Sequence, residues 1–338
     1  MIKMKVFLSD LSVRGFLLVV LMLVLGGCSV QPSRPIIIND AERLSNEGVR
    51  AFQEADWYRA QQLFSRSLLL YQGTDNQPGI LRSYINLIEV ALAAGDFQTA
   101  EKNLMIAAEM TRSDELKVYQ NRVRLLFSKF TIKTRQFSKA QQFLSVLLPE
   151  FYGFETKSAP DLIQLSAIAN RTHVAFEQNL DAELWAKRYE HSLKVTDVDT
   201  RAYQGLLLRF QAKLLLRENN FQQAAVKLQQ ALTIYKASLV QHGIAASLSE
   251  LAQLYFQQGD WLQAKHYLRR ANGVLRYIGN RDKIIKNTEK LAFIESKLGH
   301  VEHSRRIRKW LVERKKNQSK QEKKYLPLLE GKDYLSFD

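Results

Sequence analysis

The residue types that carry enzymatic chemistry are present in this sequence but form no recognisable catalytic pattern. There is no glycine-rich phosphate loop, no serine within a Gly-x-Ser-x-Gly turn and no His-Glu-x-x-His pair. Carboxylates are plentiful, but no two of them are spaced so as to mark a general acid and a general base. The sequence therefore predicts a protein that is not an enzyme and that has no cofactor.

Two histidines, His300 and His303, are the pair closest in sequence and could share a metal ion, with Glu302 between them. A structural zinc site takes four protein ligands, and two histidines on one helix face supply only half of them. We interpret the pair as surface residues and predict no metal site.

The first residues have the composition of an export signal. Lys3, Lys5 and Arg14 accompany an apolar core at 15–25, and small residues follow it. The core is shorter than the roughly 20 apolar residues that a membrane-spanning helix needs. We therefore predict a signal peptide over residues 1–27.

The tetrad Leu25, Gly26, Gly27 and Cys28 resembles a bacterial lipobox, in which the cysteine is acylated and becomes the first residue of the mature chain. Cys28 is the only cysteine, so an intramolecular disulfide is excluded. Several acyl chains hold a protein on a bilayer far more firmly than one chain does. The alternatives for Cys28 are an ordinary buried thiol or an uncleaved anchor helix.

The resemblance to lipoproteins also implies a localisation in the cell. Ser29 follows the cysteine, and lipoproteins of Gram-negative bacteria that lack aspartate there usually reach the outer membrane. We expect a lipid-anchored protein on the outer membrane that faces the periplasm. Residues 28–39, which include Pro32 and Pro35, would form its extended tether.

Composition describes a folded and basic chain. Of 338 residues, 46% are hydrophobic and 25% are charged, as in ordinary globular proteins. The formal net charge is +15, which favours acidic partners such as anionic lipid, cell-wall polymer, acidic protein or nucleic acid. The export signal argues against nucleic acid.

An aromatic residue followed three positions later by a small one recurs along the chain. The pairs are Trp57 with Ala60, Phe97 with Ala100, Phe137 with Ala140, Phe221 with Ala224, and Trp261 with Ala264, and a weakened copy is Val301 with Ser304. Most intervals are 40 residues, and the interval of 84 from Phe137 to Phe221 holds a degenerate copy near Leu180. A fixed period of this size is typical of a solenoid.

The residues around Trp261 show which repeat this is. Leu251, Ala252, Tyr255, Gly259 and Trp261 resemble a tetratricopeptide repeat, with a small residue on the first helix and an aromatic residue after the turn. The resemblance implies an all-α, right-handed superhelical solenoid of antiparallel helix hairpins with about seven repeats. The period of 40 exceeds the usual 34 of this family, so we expect longer helices.

We expect this array over residues 40–312, with an irregular fourth repeat at 161–200 and a basic tail at 313–338. The segment 149–160 clusters Phe151, Tyr152 and Phe154 in what should be a loop. It is either a hydrophobic plug beside the irregular hairpin or a loop that docks a partner or forms a hinge.

Members of this family bind proteins on a concave face lined by their first helices. Carrying the small position of the family onto Ser128 and Ala212 places six cations on that face: Arg122, Lys129, Lys133, Arg209, Lys213 and Arg217. Such rows would attract an acidic peptide or a C-terminal carboxylate. The alternative is a solvated outer face.

The tail is rich in lysine. It contains Lys315, Lys316, Lys320, Lys323 and Lys324. The tail is either a solvated end cap or a contact to anionic lipid headgroups, where each cation contributes about 1 kcal/mol.

These features together predict a periplasmic adaptor that gathers proteins of an envelope complex, such as cell-wall enzymes, proteases, or parts of a pilus, secretion or polysaccharide assembly. One alternative is an assembly factor that pilots a single membrane protein. Another is a cytoplasmic signalling or regulatory repeat protein.

Overall fold

The structure is a computed structural model that describes residues 36–148, 161–196 and 199–322, with side chains described as far as Arg314. Cys28, the segment 149–160, Lys323 and Lys324 lie outside the described residues, as do the side chains of Lys315, Lys316 and Lys320 at the end of the last helix.

The described chain folds into helices and contains no strand. The helices are α1 (Ile36–Gln53), α2 (Trp57–Gly73), α3 (Gln77–Ala94), α4 (Phe97–Met110), a 3-10 helix (Asp114–Tyr119), α5 (Gln120–Lys133), α6 (Phe137–Leu147), α7 (Leu162–Gln178), α8 (Ala182–Val195), α9 (Arg201–Arg217), α10 (Phe221–Ala237), α11 (Gln241–Gln257), α12 (Trp261–Tyr277), α13 (Arg281–Lys297) and α14 (Val301–Glu322). Consecutive helices pack together as seven hairpins. The predicted all-α solenoid is confirmed.

The length of the helices explains the 40-residue period. Each helix from α9 to α13 has 17 residues, and three residues connect each to the next. Two such helices and two such turns make one period.

The recurring signature is a turn between helices followed by a close helix contact. Gly95 ends α3 in the left-handed conformation, at φ 81°, which glycine adopts without steric cost. The Asp96 side chain accepts a hydrogen bond from the backbone N–H of Thr99 at 3.1 Å and so caps α4. Ala100 is fully buried, because the hairpin's first helix lies directly against it.

The small position is buried in the other copies as well. The residues Ala60, Ala140, Ala224 and Ala264 have no exposed surface. In the weakened copy, the hydroxyl of Ser304 donates to the backbone oxygen of Ala292 at 2.7 Å. The serine thus satisfies its polar group within the same close contact.

The fourth hairpin departs from the pattern. Helix α7 begins with a capping box, in which Asp161 and Gln164 each accept from the backbone of the other. Helix α8 buries Trp185 and Tyr189 in the largest core cluster, whereas Leu180, at the position of the degenerate copy, is 55% exposed. The aromatic anchors of this unit therefore lie inside its second helix rather than at the turn.

The first hairpin contacts the sixth and seventh. The indole N–H of Trp57 donates to the backbone oxygen of Ile278 at 2.7 Å, and the Tyr277 hydroxyl donates to the backbone oxygen of Glu54 at 3.0 Å. Trp57 also stacks on His242, with ring centroids 5.3 Å apart. The array therefore closes on itself, and we call this set of interactions the closing contact.

Over the described residues, no helix combines the length and the apolar character that crossing a membrane requires.

Candidate functional site

The concave interior is built from side chains on the first helix of each hairpin. Glu89 on α3 accepts from Lys129 at 2.8 Å and from Arg122 at 3.1 Å, both on α5. Burial raises the pKa of Glu89, but the two cations outweigh burial, and the pKa lies below its ordinary value. Two of the six predicted groove cations are thus held by one carboxylate.

A second ion pair joins the fifth and sixth units. Arg209 on α9 donates to both carboxylate oxygens of Glu250 on α11, at 2.8 and 2.7 Å. Burial opposes the charge on both side chains, yet the pairing raises the pKa of Arg209 and lowers that of Glu250. Each of the two side chains is about one-fifth exposed. Their bidentate ion pair connects the fifth repeat to the sixth.

The next two predicted cations lie over one aromatic ring. Arg217 donates to the backbone oxygen of Phe176 at 3.1 Å, and its guanidinium lies 5.1 Å from the centre of the Phe176 ring. The Lys213 ammonium lies 5.8 Å from the same ring centre. Within the described residues, Lys213 has no carboxylate partner.

The six predicted residues therefore divide into two groups. Arg122, Lys129 and Arg209 are paired with carboxylates, and Arg217 caps a backbone oxygen. Lys133 and Lys213 make no ion pair within the described part of the chain.

A cavity of about 400 Å³ opens beside Lys213. It is lined by His173, Tyr203, Arg209, Phe210, Lys213, Tyr235, His242 and Lys283, among others. Tyr235 reaches this position because α9 carries Gly205, where a methyl group would lie 2.8 Å from the Tyr235 ring. The cavity combines aromatic walls with cations from two helices, Arg209 and Lys213 on α9 and Lys283 on α13.

The pKa values in this region report an excess of positive charge. Burial, Arg209 and Lys133 lower the pKa of Lys283 to about 8. Burial, Lys133 and Lys283 lower the pKa of His242 to about 4. The pKa of Lys133 is also lowered, by burial first. Because the neighbouring carboxylates are already paired, an added anion would be attracted here.

Neither the cavity-lining residues Lys283, His173 and His242 nor the carboxylates Glu89 and Glu250 were predicted from the sequence. A usable signal existed for the carboxylates. Lys129 lies 40 residues after Glu89, and Arg209 lies 41 residues before Glu250, so each pair is one repeat apart. No comparable signal marked Lys283, which lines the cavity together with Lys213 although it lies two hairpins further along the chain.

His300 and His303 both contact the carboxylate of Glu295, which was not among the residues predicted from the sequence. Glu295 is 1% exposed and accepts from Lys265 at 3.0 Å. His300 lies 2.7 Å and His303 3.4 Å from its oxygens through Nδ1. Glu302 instead pairs with Arg305. No group of three or more His, Cys, Asp or Glu in the described residues could hold a metal ion.

No protein-family model matches the sequence. No curated protein matches it either. Among solved structures, the chain is similar to a signal transduction ATPase with numerous domains from Pyrococcus horikoshii that carries a tetratricopeptide repeat sensor. The TM-score is 0.50 at 16% identity over 81% of this chain, and the chain spans only 41% of that protein's length. A second similar structure is the apo form of RapI, with a TM-score of 0.45 and 14% identity, covering 79% of this chain and 74% of RapI. The first likeness shows a fold of the tetratricopeptide type.

Proposed function

We propose that this protein is a scaffold that binds protein partners through its concave interior while an acylated Cys28 anchors it to the periplasmic side of the bacterial outer membrane. The anchor rests on the resemblance of residues 25–28 to a lipobox. The binding role rests on the solenoid fold, since stacked hairpins present a long concave surface to a partner.

The observation that carries the binding proposal is a set of interior cations that form no ion pair within the described residues. Lys133, Lys213 and Lys283 have no ion-pair partner within the described residues, whereas Glu89 already pairs with Arg122 and Lys129, and Glu250 with Arg209. An acidic segment of a partner would supply the missing negative charge. We therefore propose that the partners are envelope proteins with acidic segments.

The test is affinity capture of the anchored protein from solubilised envelopes, followed by mass spectrometry. We expect several soluble envelope proteins with acidic segments, and we expect their loss when Lys133, Lys213 and Lys283 are changed together to Glu. Arg209 and Arg217 stay unchanged, because reversing them would break contacts between repeats. A matched control reverses three exposed lysines on second helices, Lys102, Lys139 and Lys236.

An unchanged set of partners in the interior variant would contradict binding by the concave face. A single captured protein, whose localisation fails when this chain is deleted, would indicate an assembly factor instead of an adaptor.

A further inference from the structure

A groove of about 1160 Å³ lies between the last three helices, α12, α13 and α14, and we call it the C-terminal groove. Its volume exceeds the range of about 300–1,000 Å³ that is usual for small-molecule pockets, which favours a peptide segment as its occupant. The described linings of this groove and of the cavity beside Lys213 share no residue. The walls of the C-terminal groove include Asn272, Arg276, Ile284, Arg306, Ile307 and Trp310.

The apolar part of the C-terminal groove is incompletely covered. Ile307 and Trp310 lie three residues apart on one face of α14, and Ile284 of α13 lines the same groove. Trp310 is 38% exposed, although tryptophan is among the side chains that bury the largest apolar area. Apolar side chains of a further segment would cover this surface.

The polar part of the C-terminal groove is positively charged. Within the described residues, neither Arg276 nor Arg306 forms an ion pair, and Arg276 donates to the backbone oxygen of Asn272 at 3.3 Å. Glu302 also lines the groove, but its carboxylate is paired with Arg305 at 2.6 Å. The groove therefore suits a segment that combines apolar and acidic side chains.

Asn272 indicates that a hydrogen-bond donor is missing at the groove wall. This residue is 7% exposed, and its Nδ2 donates to the Thr288 hydroxyl at 3.4 Å. Its Oδ1 is buried and has no hydrogen-bond partner in the described part of the chain, which is uncommon for a buried amide oxygen. The backbone N–H groups of a peptide segment are donors of the kind that this oxygen lacks.

The sequence that follows α14 contains a segment of this chemistry. Residues 330–338 carry three carboxylates against one lysine, and they include the apolar side chains Tyr334, Leu335 and Phe337. Sixteen residues follow Glu322, and they reach about 50 Å when extended. The helix covers only about 18 Å from Trp310 to Glu322. Residues 330–338 can therefore return to the groove.

We propose that the C-terminal groove is the docking site of the chain's own segment 330–338. The apolar side chains of Tyr334 and Leu335 would cover Trp310, and the carboxylates of the segment would pair with Arg306 and Arg276. The inference does not depend on the proposed function, because the groove is separate from the cavity of the concave interior.

The first experiment measures acrylamide quenching of Trp310 in the full chain in detergent, as the difference between each protein and its Trp310→Phe counterpart. Changing Tyr334 and Leu335 together to Ser should raise the quenching constant about twofold, because it uncovers the indole. The control changes Tyr325 and Leu326 to Ser, which removes the same two residue types at a point too close to α14 to reach Trp310. The control should be quenched as the wild type is.

The second experiment tests the ionic part of the contact. Arg306→Glu places a like charge opposite the segment and should raise Trp310 quenching, whereas Arg308→Glu changes an exposed cation that is not part of the groove lining and should not. Changing Asp333 and Asp338 to Lys in the Arg306→Glu protein should return quenching towards the wild-type value. Damage to α14 alone would not be rescued in this way, and circular dichroism verifies that each variant is folded.

The inference is overturned if the Tyr334→Ser/Leu335→Ser protein and its control are quenched alike, or if the reversed charges fail to rescue Arg306→Glu. Quenching of the wild type that rises on dilution would assign the segment to the groove of a second copy and would also overturn the intramolecular contact. The capture of envelope partners is a separate measurement, so its outcome does not decide this one.

Discussion

At the scale of single residues, the turns between helices decide local strain. Gly259 and Gly279 end their helices with φ 76° and 68°, in the region that glycine tolerates. Leu239 occupies the corresponding position of another turn with φ 52°, where a Cβ atom costs about 1–2 kcal/mol. The fold holds this residue in an unfavourable conformation because the helices on both sides of the turn are fixed by packing.

Changing Leu239 to Gly should therefore stabilise the protein. The leucine side chain is 71% exposed, so little burial is lost, and we expect a gain of about 0.5–1 kcal/mol after the extra flexibility of unfolded glycine is included. Urea unfolding measures the change, and Gly259→Ala is the matched control, which should destabilise by about 1 kcal/mol. A urea midpoint for Leu239→Gly below that of the wild type would show that the backbone at Leu239 is not strained.

At the scale of elements, charged pairs between successive first helices connect the repeats. Glu89 with Lys129 and Arg209 with Glu250 each join residues about one period apart. His242 lies on α11 and takes part in no such ion pair within the described residues. Burial and the charges of Lys133 on α5 and Lys283 on α13 lower its pKa, and its ring stacks on Trp57 of α2.

This position predicts a stability that depends on pH. The pKa of His242 is about 4 in the folded chain and near 6.5 when unfolded, so between these values the unfolded chain binds more protons. Stability should be complete above about pH 6.5 and should fall as the pH drops towards 4. His242→Gln should reduce the difference between urea midpoints at pH 7 and pH 5. An equal difference in both proteins would exclude this contribution.

At the scale of the whole molecule, the closing contact and the net positive charge determine how a partner reaches the concave interior. The closing contact joins residues 221 positions apart and turns an open solenoid into an enclosed one. The formal net charge of +15 makes the whole chain basic, which would speed the encounter with acidic partners.

The proposed localisation to the outer membrane is tested by changing Cys28 to Ala. We expect the wild type in the outer-membrane fraction and the variant in the soluble periplasmic fraction, because the acyl chains supply the anchor. Immunoblotting of fractionated cells measures both, and Cys28→Ser serves as a second variant without a thiol-derived lipid site. A wild-type chain found in the cytoplasm would contradict the lipoprotein proposal and favour a signalling or regulatory role.

The helical hairpins and their approximate number follow from the local sequence pattern. The buried alanines, the capping Asp96 and the glycine turns are local features, and each is dictated by the backbone of one turn or by contact with one neighbouring helix. The resemblance to the repeat family, carried onto Ser128 and Ala212, predicted Lys133 and Lys213 on the concave face.

Which of the predicted cations pair with a carboxylate depends on tertiary contacts between repeats. Arg209 and Glu250 pair because consecutive repeats stack in register, which a one-period spacing could have suggested. Trp57 and Ile278, 221 positions apart, meet because small rotations between hairpins accumulate along the array. Such an accumulated rotation is a property of the entire array, so no single repeat encodes it in its own pattern.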